Sequence, residues 1–163
     1  MELFILRHGE AGKSLPARRQ DGERPLTTDG EQQVREVARA LSSLKVKPDF
    51  IVSSPLKRAR QTADISGRAL KAKVEVWDEL KPEGDKKAFL TKLSKLRHES
   101  RVLCVGHEPF LTSMIDDVIG VPNGSGIILR KAGLARLTIT SFNPKTGGVL
   151  RWLLTPRLLK QLS

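Results

Sequence analysis

Four consecutive apolar residues, Leu3-Phe4-Ile5-Leu6, run directly into Arg7-His8-Gly9-Glu10. A short apolar run bounded by turn chemistry fits a strand covered on both faces. Such a strand needs helices above and below it, which restricts the chain to a layered α/β architecture with a largely parallel sheet. In sheets of that kind, ligands bind at the carboxyl ends of the strands. Arg7 and His8 fall at that end, and Gly9 permits close approach of the backbone. The stretch therefore presents a cation and an imidazole to an anion.

The rest of the chain repeats the alternation. Ala11 to Pro25 is polar and rich in Arg, Gly and Pro, and reads as a long loop. Thr28 and Glu31 have capping-box spacing. Val34, Val37, Ala38 and Leu41 then follow a helical period that ends near Leu44. Asp49 to Val52 reads as a second strand. Ser54 suits a helix N-cap and Pro55 the first helical position, with the helix running to about Leu70. Val74 to Trp77 is a third strand, and Asp78-Glu79-Leu80 a turn. Lys86 to Leu96 has helical spacing. Arg101 to Val105 is a fourth strand, followed by Gly106-His107-Glu108-Pro109 and a helix built on Leu111, Met114, Ile115 and Val118. Residues 121–132 read as loop. Leu134 to Phe142 alternates as a half-exposed strand. Asn143 to Gly148 turns the chain back, and Val149 to Leu154 pairs as an edge strand. Thr155-Pro156 opens a short terminal helix carrying Leu158, Leu159 and Leu162. The expected fold is a three-layer sandwich, with a mostly parallel central sheet flanked by helices and an antiparallel hairpin at the carboxyl end.

At 163 residues the chain reads as one domain, residues 1–163. It contains no Tyr and few aromatics, so its core rests on Leu, Ile, Val and Ala. A single cysteine, Cys104, excludes an internal disulfide and lies in the apolar run Val102 to Val105, as a buried, inert thiol would. No signal peptide and no membrane-length apolar run is visible, which points to a cytoplasmic protein. The net charge of +11 favours acidic or phosphorylated partners. The charges are spread along the chain, densest at Arg18-Arg19 and Lys57-Arg58-Ala59-Arg60. They lack the aromatic interleaving that stacks bases and any helix-turn-helix or finger spacing, so no dedicated nucleic-acid site is expected.

Three strand ends carry Arg7-His8, Arg58 and His107. Carboxyl ends of parallel strands line one rim, so these side chains can converge. Arginine contacts phosphate oxygens bidentately, and imidazole can attack phosphorus. There is no Walker-type glycine loop. No cluster has metal-ligand spacing, and His98, in a charged helix end, reads as a surface residue.

Four segments, Arg7-His8-Gly9-Glu10, Arg24-Pro25-Leu26-Thr27, Ser53 to Thr62 and Val105 to Pro109, resemble the histidine phosphatase superfamily, with its phosphoglycerate mutase-like fold. The small size and missing insertions look like its SixA branch, the phosphohistidine phosphatases. The resemblance implies that His8 is the nucleophile and becomes phosphorylated. It implies that Arg7, Arg58 and His107 bind the phosphoryl group. It implies a proton donor after the third strand, where Glu79 fits best, with Asp21, Glu10 and Glu108 as rivals. Arg24 is expected either to line the substrate groove or to anchor its loop. Lys57 and Arg60 are expected in solvent. Flanking cations should keep His8 neutral, the form that attacks. Water then releases the phosphate, so neither a metal nor another cofactor is called for.

The chain has little room for a lid of the kind that encloses small metabolites. An open basic groove suits phosphohistidine on a protein, such as a histidine-containing phosphotransfer domain. Two other readings stand beside it: a phosphatase for small phosphate esters, and a non-catalytic phosphate or polyanion receptor.

Overall fold

The structure, a computed structural model, describes residues 1–13, 18–122, 124–143 and 145–163, without the side chains of Arg18 and Arg19. The Arg18-Arg19 charge cluster and the turn residues Asn123 and Pro144 thus lie outside the described parts. A six-stranded sheet runs through the molecule in the order β3-β2-β4-β1-β5-β6. Its strands are β1 (Glu2–Arg7), β2 (Phe50–Ser53), β3 (Lys73–Val76), β4 (Arg101–Gly106), β5 (Leu134–Ser141) and β6 (Gly147–Leu154). The first four are mutually parallel, while β5 and β6 run antiparallel to their neighbours. The helices are α1 (Arg18–Gly22), α2 (Thr28–Ser43), α3 (Lys57–Leu70), α4 (Lys86–Ser94), α5 (Phe110–Ile119) and α6 (Pro156–Gln161). This is the expected three-layer sandwich.

The apolar run in β1 explains the layering. Leu3, Phe4, Ile5 and Leu6 are all buried. Successive strand residues face opposite ways, so Leu3 and Ile5 pack toward α4 and α5, against Phe89, Leu93, Leu111 and Met114. Phe4 and Leu6 pack toward α2, α3 and α6, against Leu41, Ala63 and Leu159. Each such side chain removed from water contributes roughly 1.5–3 kcal/mol. Cys104 is fully buried in the first of these layers, and burial pushes its thiol pKa up.

Local rules locate most elements, with instructive exceptions. The cap of α2 is Thr27 rather than Thr28: its hydroxyl accepts from Gly30 N. The cap of α3 is not Ser54. Ser54 N donates to Val105 O at 3.0 Å, which prolongs the strand ladder by one residue, and the helix starts only at Lys57. Within the stretch read as loop, residues 18–22 form the short helix α1. Trp77, read as the end of β3, lies just beyond it, buried against Phe89 and under the Lys92 ammonium. The terminal helix buries Leu159 but leaves Leu158 and Leu162 exposed.

The parallel strands place the ends of β1, β2 and β4 on one rim, with Arg7 opposite Gly106 and Ser53 opposite Val105. The chain after β1 is pinned there. Glu10 O accepts from Thr27 N at 2.9 Å, and Gly30 packs so closely that a Cβ would lie 2.0 Å from that same oxygen. Gly30→Ala must therefore shift the segment beyond His8. It should cost about 1–3 kcal/mol in urea denaturation, as overpacking does; an unchanged midpoint would contradict this.

Candidate active site

His8 directly follows β1, and its backbone continues the sheet: His8 N donates to Gly106 O at 3.2 Å. Its imidazole is 5% exposed. Nδ1 lies 2.7 Å from Gly9 O. A carbonyl only accepts, so Nδ1 carries the proton and Nε2 the lone pair. Arg58 Nε donates to that Nε2 at 3.3 Å. The ring is thus a neutral imidazole with one defined tautomer. Its pKa falls from 6.5 to about 4, first because burial disfavours the charged ring and then because of the Arg58, Arg7 and Lys131 charges.

Arg58 comes from the first turn of α3, as expected, and is buried. Lys57 and Arg60, on either side of it, are exposed. The backbone of α3 reaches the pocket through Thr62, whose hydroxyl donates to Arg58 O at 2.7 Å and accepts from Gly9 N at 3.2 Å. Arg7 Nη1 donates to Leu129 O at 2.9 Å, which draws the segment before β5 against the site. The same segment clasps the end of β1, since Ala132 N bonds both Arg7 O and His8 O.

His107 follows β4 and faces His8, with ring centroids 4.9 Å apart. Its Nε2 lies 2.9 Å from Ser54 Oγ, and Ser54 Oγ already accepts from Leu56 N at 3.3 Å. A hydroxyl has one proton and two lone pairs, so Ser54 Oγ can serve Nε2 in either tautomer of the ring. Nδ1 is buried and has no hydrogen-bond partner among the described residues, and the same is true of Arg7 Nε. Burial lowers the His107 pKa to about 2, with the His8 ring and both arginines adding to the effect. Arg7, His8, Arg58 and His107 are thus brought together.

The candidate acids are placed differently. Glu79 lies in a 3-10 turn, Asp78–Leu80, and its carboxylate is held by Lys92 Nζ at 3.2 Å. None of its described contacts is with His8, Arg7, Arg58 or His107. Glu10 accepts from Ala11 N, Gly12 N and Lys131 Nζ, and the Lys131 hydrogen bond is the main cause of its lowered pKa. Glu108 keeps one carboxylate oxygen buried without a partner. Asp21 binds Arg58 and Arg24. Arg24 donates to Ala11 O and Gly12 O, both at 2.8 Å, and so ties down the loop after β1. His98 is exposed. Sequence reasoning missed Thr62, Lys131 and the pocket role of Ser54. Only Ser54 left a signal, its place beside a strand end.

Among the described residues no group of three or more His, Cys, Asp or Glu is placed to hold a metal ion, and no helix is long and apolar enough to cross a membrane.

Comparison with known proteins agrees with this geometry. Residues 3–82 match the histidine phosphatase superfamily (branch 1). An uncharacterised protein of Picosynechococcus sp. is 37% identical over 140 residues, 84% of each chain. The phosphohistidine phosphatase SixA of Escherichia coli (strain K12) is 30% identical over 98% of this chain and 97% of its own length. Among solved structures, the protein histidine phosphatase SixA complexed with tungstate superposes with a TM-score of 0.85 at 30% identity, over 98% of this chain and all of that one. The chain belongs to the histidine phosphatase superfamily, in its SixA-type branch.

Proposed function

We propose that this protein is a phosphatase that hydrolyses phosphohistidine on a protein partner, by way of a phosphohistidine formed on its own His8. The observation that carries the reading is a neutral imidazole with its lone pair on Nε2, flanked by two buried nitrogens with no partner among the described residues, Arg7 Nε and His107 Nδ1. With the His107 ring proton on Nδ1, phosphoryl oxygens would satisfy both nitrogens. Unpaired buried donors are costly, on the order of 1–3 kcal/mol each, so an oxyanion gains what the protein alone leaves unmade.

In the first step the His8 Nε2 lone pair bonds to phosphorus as the bond from phosphorus to the substrate imidazole breaks. The electron pair leaves on that imidazole nitrogen, which takes up a proton from solvent. Arg7, Arg58 and His107 bind the equatorial oxygens, where charge spreads in the transition state. In the second step a water oxygen bonds to phosphorus, the bond to Nε2 breaks, and the water proton passes to solvent. Nε2 recovers its lone pair. Because the phosphorus–nitrogen bond is weak, this reaction makes little demand on a strong general acid. Such an economy suits a site in which the Glu79 carboxylate is engaged by Lys92. Two further observations support a protein substrate. Relatives named as phosphohistidine phosphatases match the chain from end to end. Among the described residues, the only helix between β1 and α2 is the five-residue α1, too small to roof a metabolite pocket.

The reading is tested by comparing the wild type with His8→Ala on a phosphorylated phosphotransfer protein and on small phosphate esters. His8→Ala should lose about 1,000-fold or more in kcat/KM, and the wild type should favour the phosphoprotein. Equal activity of the two proteins would sink the mechanism. A preference for a sugar phosphate or phosphoglycerate would replace the substrate class. Retention of polyphosphate without any turnover would point to a receptor instead.

The buried imidazole also has a pH signature. Unfolded His8 takes a proton near pH 6.5 and folded His8 only near pH 4. The stability this group contributes is therefore fully present above pH 6.5 and is lost as the pH falls toward 4. An NMR titration of the ring should find His8 still neutral at about pH 5. A midpoint near the ordinary histidine value would contradict the burial argument.

A further inference from the structure

Arginine carries five N–H groups in a rigid fork. In Arg58, Nε donates to His8 Nε2. Nη1 donates to the main-chain oxygen of Asp21 at 2.7 Å, and Nη2 pairs with Asp21 Oδ2 at 3.2 Å. One residue thus holds both terminal nitrogens of the fork, through its backbone and its side chain together. Nε–H, on the remaining edge, is turned toward the nitrogen of His8 that would carry phosphorus.

Asp21 is itself fixed. Its Oδ1 accepts from Arg24 Nε and pairs with Arg24 Nη2, both at 3.0 Å. Arg24 Nη1 in turn binds the Ala11 and Gly12 carbonyls. A closed circuit results, running from the residues just after β1 through Arg24, Asp21 and Arg58 back to His8. It links the tail of one strand to the first turn of α3 without passing through the hydrophobic core. The Asp21 and Arg24 side chains are only 18% and 13% exposed, so these ion pairs are screened less than surface pairs. Burial works against the charge of Arg58, and the Asp21 carboxylate offsets it.

We propose that Asp21 is a positioning residue: it grips Arg58 by its terminal nitrogens so that the Nε edge meets the phosphoryl group at His8. The proposal rests on the reading of His8 as nucleophile. A free arginine side chain samples many rotamers and loses that freedom when it is aimed. A fork already held by its terminal nitrogens has less freedom to lose when Nε–H exchanges the His8 Nε2 lone pair for a phosphoryl oxygen. Lysine at position 58 would supply the charge but no edge to aim.

The test is a double-mutant cycle read by p-nitrophenyl phosphate and phosphoprotein turnover, with the Arg58 Nε–H resonance followed by NMR. Thermal unfolding verifies that each variant is folded. Asp21→Ala should lower kcat by about 10-fold where Arg58 is present, and by less than about 2-fold in an Arg58→Lys background, because it acts through that side chain. The Arg58 Nε–H signal should be sharp in the wild type and broadened or shifted in Asp21→Ala. Equal losses in both backgrounds would overturn the proposal. So would no loss, or a gain that marked Asp21 as a competitor for the phosphoryl site. If wild-type protein turned over neither substrate, the phosphatase reading would fail separately. The resonance would then decide the clamp, an identical signal in wild type and Asp21→Ala counting against it.

Discussion

The pairing of β1 with β4 on one side and β5 on the other is the constraint on which the site depends. It sets Arg7 opposite Gly106, so the residues that follow, His8 and His107, leave the sheet side by side. The pairing is held by an apolar run buried on both faces, whose energy comes from two separate helical layers. Two titratable rings can stand 4.9 Å apart at its edge because the sheet backbone fixes them and neither ring is charged. Were both protonated in so buried a place, repulsion and desolvation would work together against the fold.

Neutrality and charge are divided between two residue types. The arginines remain cationic and supply the field. The histidines are kept neutral by burial and by that field, so His8 has a lone pair to offer and His107 a buried Nδ1 with no partner among the described residues. The proposed phosphoryl transfer asks for such a division, since the side chains must provide both a nucleophile and charge stabilisation without one cancelling the other. Apart from the Asp21 carboxylate on Arg58, the supporting hydrogen bonds come from backbone groups and hydroxyls, such as Gly9 O, Leu129 O, Ser54 and Thr62, which orient the charged and aromatic groups without adding charge.

The sheet layers and the four central side chains were legible because each follows a local rule: an apolar run, a helix start, a glycine after a strand. What was not legible depends on distance in sequence. Ser54 satisfies every local rule for a helix cap, yet its backbone joins the β4 ladder and its hydroxyl turns to His107. Asp21 and Arg24 lie in a polar stretch with no periodicity, and their roles appear only when α1 meets Arg58, 37 positions away. Gln61 similarly accepts from Leu26 N, joining two motifs that the sequence presents as separate. Glu79 likewise shows what position alone leaves out: its place after β3 fits a functional pattern, while Lys92, one helix later, pairs with its carboxylate.

The central claim is that His8 Nε2 becomes bonded to phosphorus. Rapid quenching of the enzyme during turnover of a phosphorylated protein, at neutral to basic pH where phosphohistidine survives, followed by peptide mass spectrometry, tests it most directly. The account predicts one added phosphoryl group on the peptide containing Arg7-His8-Gly9, absent from His8→Ala and decaying as substrate is exhausted. Turnover with no phosphorylated His8 at any time, or with the label on another residue, would contradict it.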